Sequence, residues 1–294
     1  MTPVERDVVI RIRELTKRFR AADGSRPAVL DGVTFDIRRG ETLVIMGGSG
    51  CGKSTLLNCL IGELPVDGGS VSYQLRDADG AVDITRADED AVDRIRLRFG
   101  VLFQSGALFN SMTLAQNVAL PLLAHTDVRP DIIDIVVTLK LQQVHMLPHR
   151  DKTPSQLSGG QKKRAGLARA AALDPEILFY DEPSAGLDPV TSAAIDQLIM
   201  DLSGKMAVTS VVVTHEMDSA FRIADRMVML DRGRVLRIGT RAEFDALRRA
   251  EPAGLKSDEE RLIHQFLNGD TQGPLTDAQG LSEFERLLVS SRET

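Results

Sequence analysis

No apolar run in the sequence approaches the roughly 18 residues needed to span a bilayer. Its first residues, Met1-Thr2-Pro3-Val4-Glu5-Arg6-Asp7, lack the basic-then-apolar order of a secretory signal. Both absences point away from an integral or secreted protein. Cysteine is scarce, with only Cys51 and Cys59, and Cys51 lies inside a glycine-rich loop that a disulfide would distort. Both are read as reduced thiols of a cytosolic protein. Positive charge is not in excess either: the net charge is -6, so a broad nucleic-acid-binding surface is not expected. What remains is ordinary for a soluble globular chain, with 43% hydrophobic and 27% charged residues among 294. That length suits one large domain with an appendage.

Short apolar runs alternate with helical spacing along most of the chain. Val8-Val9-Ile10 and the stretch from Val29 to Ile37 read as strands, with a break at Asp23-Gly24 and another at Gly40. Thr42 to Met46 is a continuous apolar run that suits a strand buried on both faces, followed by a helix from Ser54 through Leu60. Residues from about 105 to 170 are more helical and read as a subdomain inserted in the core. Strand and helix then alternate again from Ile177, and Asp231-Arg232-Gly233 reads as a hairpin turn. This order predicts an α/β fold with a mainly parallel sheet covered by helices. No internal repeat is evident.

Three motifs carry chemistry. Gly47-Gly48-Ser49-Gly50-Cys51-Gly52-Lys53-Ser54 fits the phosphate-cradling pattern G-x-x-x-x-G-K-[ST], between an apolar strand and a helix as that pattern requires. Its backbone N–H groups and helix start would face phosphates, with Lys53 as a point charge, Ser54 on Mg²⁺ and Thr55 beside the α-phosphate. Downstream, Ile177-Leu178-Phe179-Tyr180 ends in Asp181-Glu182, two acids closing a buried strand at the edge where α/β folds bind ligands. Between them, Leu157-Ser158-Gly159-Gly160-Gln161 places a serine and two glycines at a helix start, a second anion site in a chain whose first already suits phosphates.

In this order the three motifs resemble the ATP-binding cassette ATPases over roughly residues 5 to 245. The resemblance implies a P-loop NTPase cassette: a RecA-like core, an antiparallel β subdomain and the inserted helical subdomain. It places the ATPase domain at residues 5–250 and a C-terminal helical extension at 251–294. It implies ATP and Mg²⁺ as ligands. Asp181 would position Mg²⁺ through water, and Glu182 would act as base or orienting group for the attacking water. Gln104, opening the helical insert, matches the family's switch between the metal site and the transporter-facing groove, and His215 its contact to the γ-phosphate. Phe19, after Leu15-Thr16-Lys17-Arg18, falls where an aromatic stacks on adenine, with a core phenylalanine as the rival reading. Asp188 in Ala185-Gly186-Leu187-Asp188 would sit in the loop through which two cassettes communicate. Ser158, Gly159, Gly160 and Gln161 would close on ATP held by Lys53 of a second copy, so a homodimer is expected.

Gly100 to Phe109, Asn110-Ser111-Met112-Thr113, Asn117-Val118, Lys162 to Arg169 and Ile263 to Gly269 further resemble the Mla/Mce-type lipid-transport ATPases. Gln161 stands where that branch commonly has methionine, and Gln116 where it often has glutamate. The branch implies transport of lipid, phospholipid or in some bacteria sterol, through a separate integral permease, with an Mce-domain lipid-binding subunit and accessory proteins. The chain would then sit peripherally on the cytoplasmic face of the inner membrane. The alternatives are an importer of amino acids or other small solutes, an exporter, and a non-transporter cassette. Two further expectations concern Cys51, whose thiol beside Lys53 and a helix start would have a lowered pKa and react readily, with a thiol that points away and is inert as the rival reading, and the tail. There Leu262, Ile263, Phe266 and Leu267 form one apolar stripe and Leu281, Phe284, Leu287 and Leu288 another. Either they pack on their own core or they dock on a second subunit.

Overall fold

The computed structural model describes residues 7–21, 24–76 and 80–270; the distal stripe from Leu281 to Leu288 lies outside them. The described chain runs β1 (Val8–Arg18), β2 (Ala28–Arg38), β3 (Thr42–Gly47), α1 (Lys53–Leu60), β4 (Gly68–Tyr73), β5 (Val82–Asp83), α2 (Glu89–Arg96) and β6 (Phe99–Leu102). Three helices come next, α3 (Leu114–His125), α4 (Pro130–Gln143) and α5 (Gly159–Ala170). Then come β7 (Ile177–Asp181), α6 (Pro189–Met206), β8 (Thr209–Val213), α7 (Met217–Ile223), β9 (Arg226–Asp231), β10 (Arg234–Thr240), α8 (Arg241–Arg249) and α9 (Asp258–Asn268).

Two sheets form. The first has the order β2-β1-β4-β5 and pairs antiparallel throughout. The second has the order β10-β9-β3-β8-β7-β6, parallel from β9 to β6. All six residues of β3 are buried, as a central parallel strand covered on both faces requires. β10 returns beside β9 through Asp231-Arg232-Gly233, where Arg232 (φ 45°) and Gly233 (φ 78°) take the left-handed backbone of a tight hairpin.

Residues of both sheets share one core. Leu56, Leu57 and Leu60 of α1 are buried with Ile10 and Ile12 of β1, Ile45 of β3 and Phe179 of β7. Tyr73, Phe99 and Phe179 stack in series, with centroids 4.9 and 5.2 Å apart, and the Tyr73 hydroxyl donates to the Leu60 carbonyl at 2.5 Å. Truncating a side chain packed like Phe179 to alanine typically costs about 3–5 kcal/mol. Between β6 and β7 the chain leaves the sheet for α3, α4 and α5, which pack on one another. Local chemistry fixes where these helices begin. Thr113 and Gln116 make a reciprocal capping box at α3, Pro130 opens α4, and Ser158 and Gln161 repeat the box at α5.

The structure adds to the sequence reading at several points. β1 continues past Ile10 to Arg18, because Glu14 (φ 48°) inserts a bulge that breaks the alternation without ending the strand. β4 and β5 are additional strands of the antiparallel sheet. Finally, the chain divides into two compact units between Ile238 and Gly239, so α8 groups with α9 and not with the preceding core.

Within the second unit α8 and α9 contact each other, and Phe244, Ile263 and Leu267 are buried. His264 Nε2 lies 3.0 Å from the Ala250 carbonyl, and Asn268 donates to the Arg248 carbonyl at 3.0 Å. Ending the chain after Arg249 therefore strips α8 of its partner helix. Each buried side chain lost contributes about 1.5–3 kcal/mol. Thermal melting followed by circular dichroism should find the chain ended after Arg249 measurably less stable than the chain ended after Asp270.

Candidate active site

The parallel strands β3, β8, β7 and β6 all end at one edge of the second sheet, and their register brings the segments beyond those ends together. Ile45 of β3 pairs with Val213 of β8, and Val213 with Asp181 of β7. Adjacent strands lie about 4.8 Å apart, so the loop after β3, the acids ending β7 and the Thr214-His215 step after β8 are neighbours. Gln104 comes just after β6, on the far side of β7, and is exposed.

The loop from Gly47 to Gly52 is built on backbone. Gly52 (φ 106°) precedes α1 without any side-chain cap, which leaves the first N–H groups of the helix to an external acceptor. The Lys53 ammonium folds over the loop and donates to the carbonyls of Gly47 at 2.8 Å and Gly48 at 3.0 Å. Ser49, Gly50 and Ser54 are exposed, and Gly48 and Thr55 half-buried.

Cys51 departs from the sequence expectation. Its side chain is buried in the core, and burial pushes the thiol pKa up, outweighing the opposing pull of Lys53. A protonated, buried thiol is a poor nucleophile. Titration of the native chain with a thiol reagent should therefore find Cys51 and Cys59 slow, both reacting promptly only after unfolding, and Cys51→Ser should leave any maleimide inhibition unchanged.

Asp181 is half-buried at the end of β7. Burial, and then the charge of Glu182, raise its pKa, while Lys53 and Lys163 pull it back. Its Oδ1 is buried without a hydrogen-bond partner. Such an orphaned oxygen suits a ligand supplied from outside the chain. Glu182 turns sharply off the strand with a left-handed backbone (φ 48°) and is buried. Its N–H donates to the Val213 carbonyl at 2.9 Å. Its Oε1 lies 2.7 Å from His215 Nδ1, and its Oε2 accepts from the Thr214 hydroxyl at 3.2 Å and the His215 N–H at 3.4 Å. The structure thus joins Glu182 to His215 directly.

The remaining candidates lie on the helices. The Ser158 hydroxyl accepts from the Gln161 N–H at 3.3 Å, and Gln161 Oε1 accepts from the Ser158 N–H at 3.0 Å. Ser158 and Gly159 are exposed, whereas Gly160 is buried against Thr191 of α6. Asp188 caps α6, accepting from the N–H groups of Val190 and Thr191 and from the Thr191 hydroxyl at 2.5 Å; these bonds hold its pKa low. Thr191 therefore touches both the Gly160 turn and Asp188. Phe19 is 41% exposed, which removes the core reading, and the Lys17 ammonium stands 5.4 Å from its ring centroid.

Sequence reasoning assigned no role to Thr214, Arg169 or Lys163. Arg169 donates to the carbonyls of Ala107 at 2.6 Å and Gly106 at 3.3 Å, holding the loop that starts at Gln104. The buried Asn117 amide bonds Phe109, Met112 and Thr113, pinning the next stretch to α3.

The chain is similar to several known proteins. The family model described as "ABC transporter" matches residues 30–185. The chain is 41% identical over 276 residues to the "Probable ribonucleotide transport ATP-binding protein mkl" of Mycobacterium leprae, spanning 94% of this chain and 72% of that one. It is 35% identical to the "Intermembrane phospholipid transport system ATP-binding protein MlaF" of Haemophilus influenzae, over 91% of this chain and 93% of the other. Against the "Methionine import ATP-binding protein MetN" of Brucella abortus the identity is 38%, over 79% and 59%. Among solved structures, the ATP-binding cassette MJ0796 in its dimeric post-hydrolysis state with ADP and Pi superposes with a TM-score of 0.70 at 30% identity. That match spans 79% of this chain and 98% of the other.

Proposed function

The chain belongs to the ABC transporter family and is an ATPase, and from that premise we propose that it powers phospholipid transport through a separate membrane permease. The observation that carries the lipid reading is end-to-end alignment. The match to the phospholipid-transport relative runs along nearly the whole of both chains, whereas the match to the methionine importer stops at 59% of its length. Among the described residues no helix is long and apolar enough to cross a membrane; the permease of this proposal is a separate chain. A peripheral place on the cytoplasmic face of the inner membrane is part of the same proposal, as are an Mce-domain lipid-binding subunit and accessory proteins.

In this reading the loop N–H groups and Lys53 hold the ATP phosphates, and Phe19 stacks on adenine. Lys53 is positioned to exchange its two carbonyl bonds for phosphate oxygens when nucleotide arrives. Mg²⁺ would be held by Ser54, Gln104 and Asp181 with phosphate oxygens, a set of hard oxygen donors that fits the ion; the orphaned Asp181 Oδ1 supports that fit. When bound, the ion neutralises charge developing on the phosphates. Glu182 takes the proton of the attacking water, and His215, already on Glu182 Oε1, orients that carboxylate and reaches the γ-phosphate. Ser158, Gly159, Gly160 and Gln161 of a second copy close over the nucleotide, with Asp188 at the contact between the two. Two ATP molecules are buried by closure, and the dimer reopens after their hydrolysis to release ADP and phosphate, which drives the permease.

The extension at 251–294 is proposed to dock on the partner cassette. Leu262 and Phe266 remain half-exposed on α9 and supply part of an apolar face for it.

The test is to isolate the full chain with its membrane partners in detergent and reconstitute the complex in vesicles. ATP-dependent movement of a labelled phospholipid, lost on substituting Lys53, is expected. A complex whose ATPase activity responds to a soluble amino acid and its binding protein, and which moves no lipid, overturns the lipid reading and leaves the ATPase standing.

A further inference from the structure

Lys163 is 6% exposed on α5, five residues beyond Ser158. Its ammonium donates to two carbonyls only, those of Glu182 and Ala185, each at 2.9 Å. Those carbonyls bracket a tight turn in which the Ala185 N–H returns to the Glu182 carbonyl at 3.3 Å. Glu182 itself has the left-handed backbone that residues with a Cβ avoid, so its peptide planes must be held from outside. Its N–H is fixed by Val213 of β8, its carboxylate by Thr214 and His215, and its carbonyl by Lys163. The first belongs to β8 and the second to the step that follows it. The third alone comes from the helix that Ser158 caps.

We propose that Lys163 is a positioning residue that ties the helix led by Ser158 to the orientation of the Glu182 carboxylate. Motion of α5 is then transmitted along a few residues of rigid helix to the peptide plane of Glu182. The surrounding charges keep the ammonium in place. Burial lowers the Lys163 pKa, whereas Glu216, Glu182 and Asp181 each favour its charged form. Removing the donors leaves the Ala185 carbonyl without the ammonium and the Glu182 carbonyl with the 3.3 Å bond from the Ala185 N–H in its place, which loosens the Glu182 peptide, while the phosphate loop on the other side of the site keeps its contacts. Hydrolysis should suffer and nucleotide binding should not. This inference rests on the reading of Glu182 as the base for the attacking water.

The experiment compares full-length Lys163→Met, Lys163→Arg, Glu182→Gln and the double variant Glu182→Gln/Lys163→Met. Steady-state turnover is read beside the affinity for a fluorescent ATP analogue. Lys163→Met should lose about tenfold or more in kcat with affinity within about twofold of wild type. Lys163→Arg, whose guanidinium can reach both carbonyls, should recover most of the rate. The double variant should be no slower than Glu182→Gln alone, because both changes disable the same group. If Lys163→Met does not fold, Lys163→Gln serves, since its shorter neutral amide cannot serve both carbonyls as the ammonium does. Wild-type kcat in a folded variant overturns the proposal, as does a further loss of rate in the double variant. So does a loss of affinity in proportion to rate. A Glu182→Gln chain that hydrolyses ATP normally removes the reading of Glu182 itself, whatever Lys163 does.

Discussion

Glu182→Gln is expected to lower ATP turnover by about 10² to 10⁴-fold while leaving nucleotide affinity nearly unchanged. The amide is isosteric, so Thr214 and the His215 N–H can still bond its carbonyl oxygen, and the turn closed by the Glu182 N–H on Val213 is unaffected. What disappears is a group able to take a proton from water. The loop N–H groups, Lys53 and Asp181 are untouched, so ATP should bind and the dimer should close but fail to reopen. Size-exclusion chromatography with ATP and Mg²⁺ should find the variant as a dimer, and wild type as a mixture governed by turnover. Normal hydrolysis in the purified variant would remove Glu182 from the chemistry, and loss of binding would make it a structural residue.

The phosphate loop and the strand closing in two acids were legible because their meaning is local. A buried apolar run, glycines and a Lys-Ser step specify strand, turn and helix within fifteen or so residues. The contact between Glu182 and His215 was not legible as a contact, since it depends on β8 lying between β3 and β7, a fact of topology that no local pattern carries. Lys163 stands in the run Lys162-Lys163-Arg164, where three adjacent cations give no local sign of which one is buried. Helical spacing held the missing signal. Gly160, Lys163 and Leu167 recur at three and four residues and are all buried, so the lysine belongs to the inward face. Cys51 failed for the opposite reason. Sequence revealed its charged neighbour Lys53 and the helix start, both of which lower a thiol pKa, but not the burial that outweighs them. The bulge at Glu14 hid most of β1, because one extra residue inverts the alternation by which a strand is recognised.

Gly47→Ala is expected to abolish useful nucleotide binding and to destabilise the fold, although it adds a single methyl group. Gly47 is the last residue of β3 and pairs with Leu230 of β9. Its φ of 151° would place a Cβ 2.3 Å from the Leu230 carbonyl oxygen and 2.7 Å from Cys51 Sγ. The first of these is backbone of a neighbouring central strand and has no rotamer by which to move aside. Relief must come from shifting the start of the phosphate loop, and the Gly47 carbonyl, one of the two that seat Lys53, shifts with it. Forced overpacking of this kind costs about 1–3 kcal/mol, and displacing N–H groups aimed at phosphate weakens binding further. The neighbouring position is the control. A Cβ on Gly48 meets nothing within 4 Å, so Gly48→Ala should melt with wild type and report only on contact with the nucleotide. Differential scanning fluorimetry without ATP, followed by titration with a fluorescent ATP analogue, separates the two effects. A Gly47→Ala chain that melts and binds like wild type would mean that β3 and β9 yield at this point, and that close approach of backbone to backbone is not what requires glycine there.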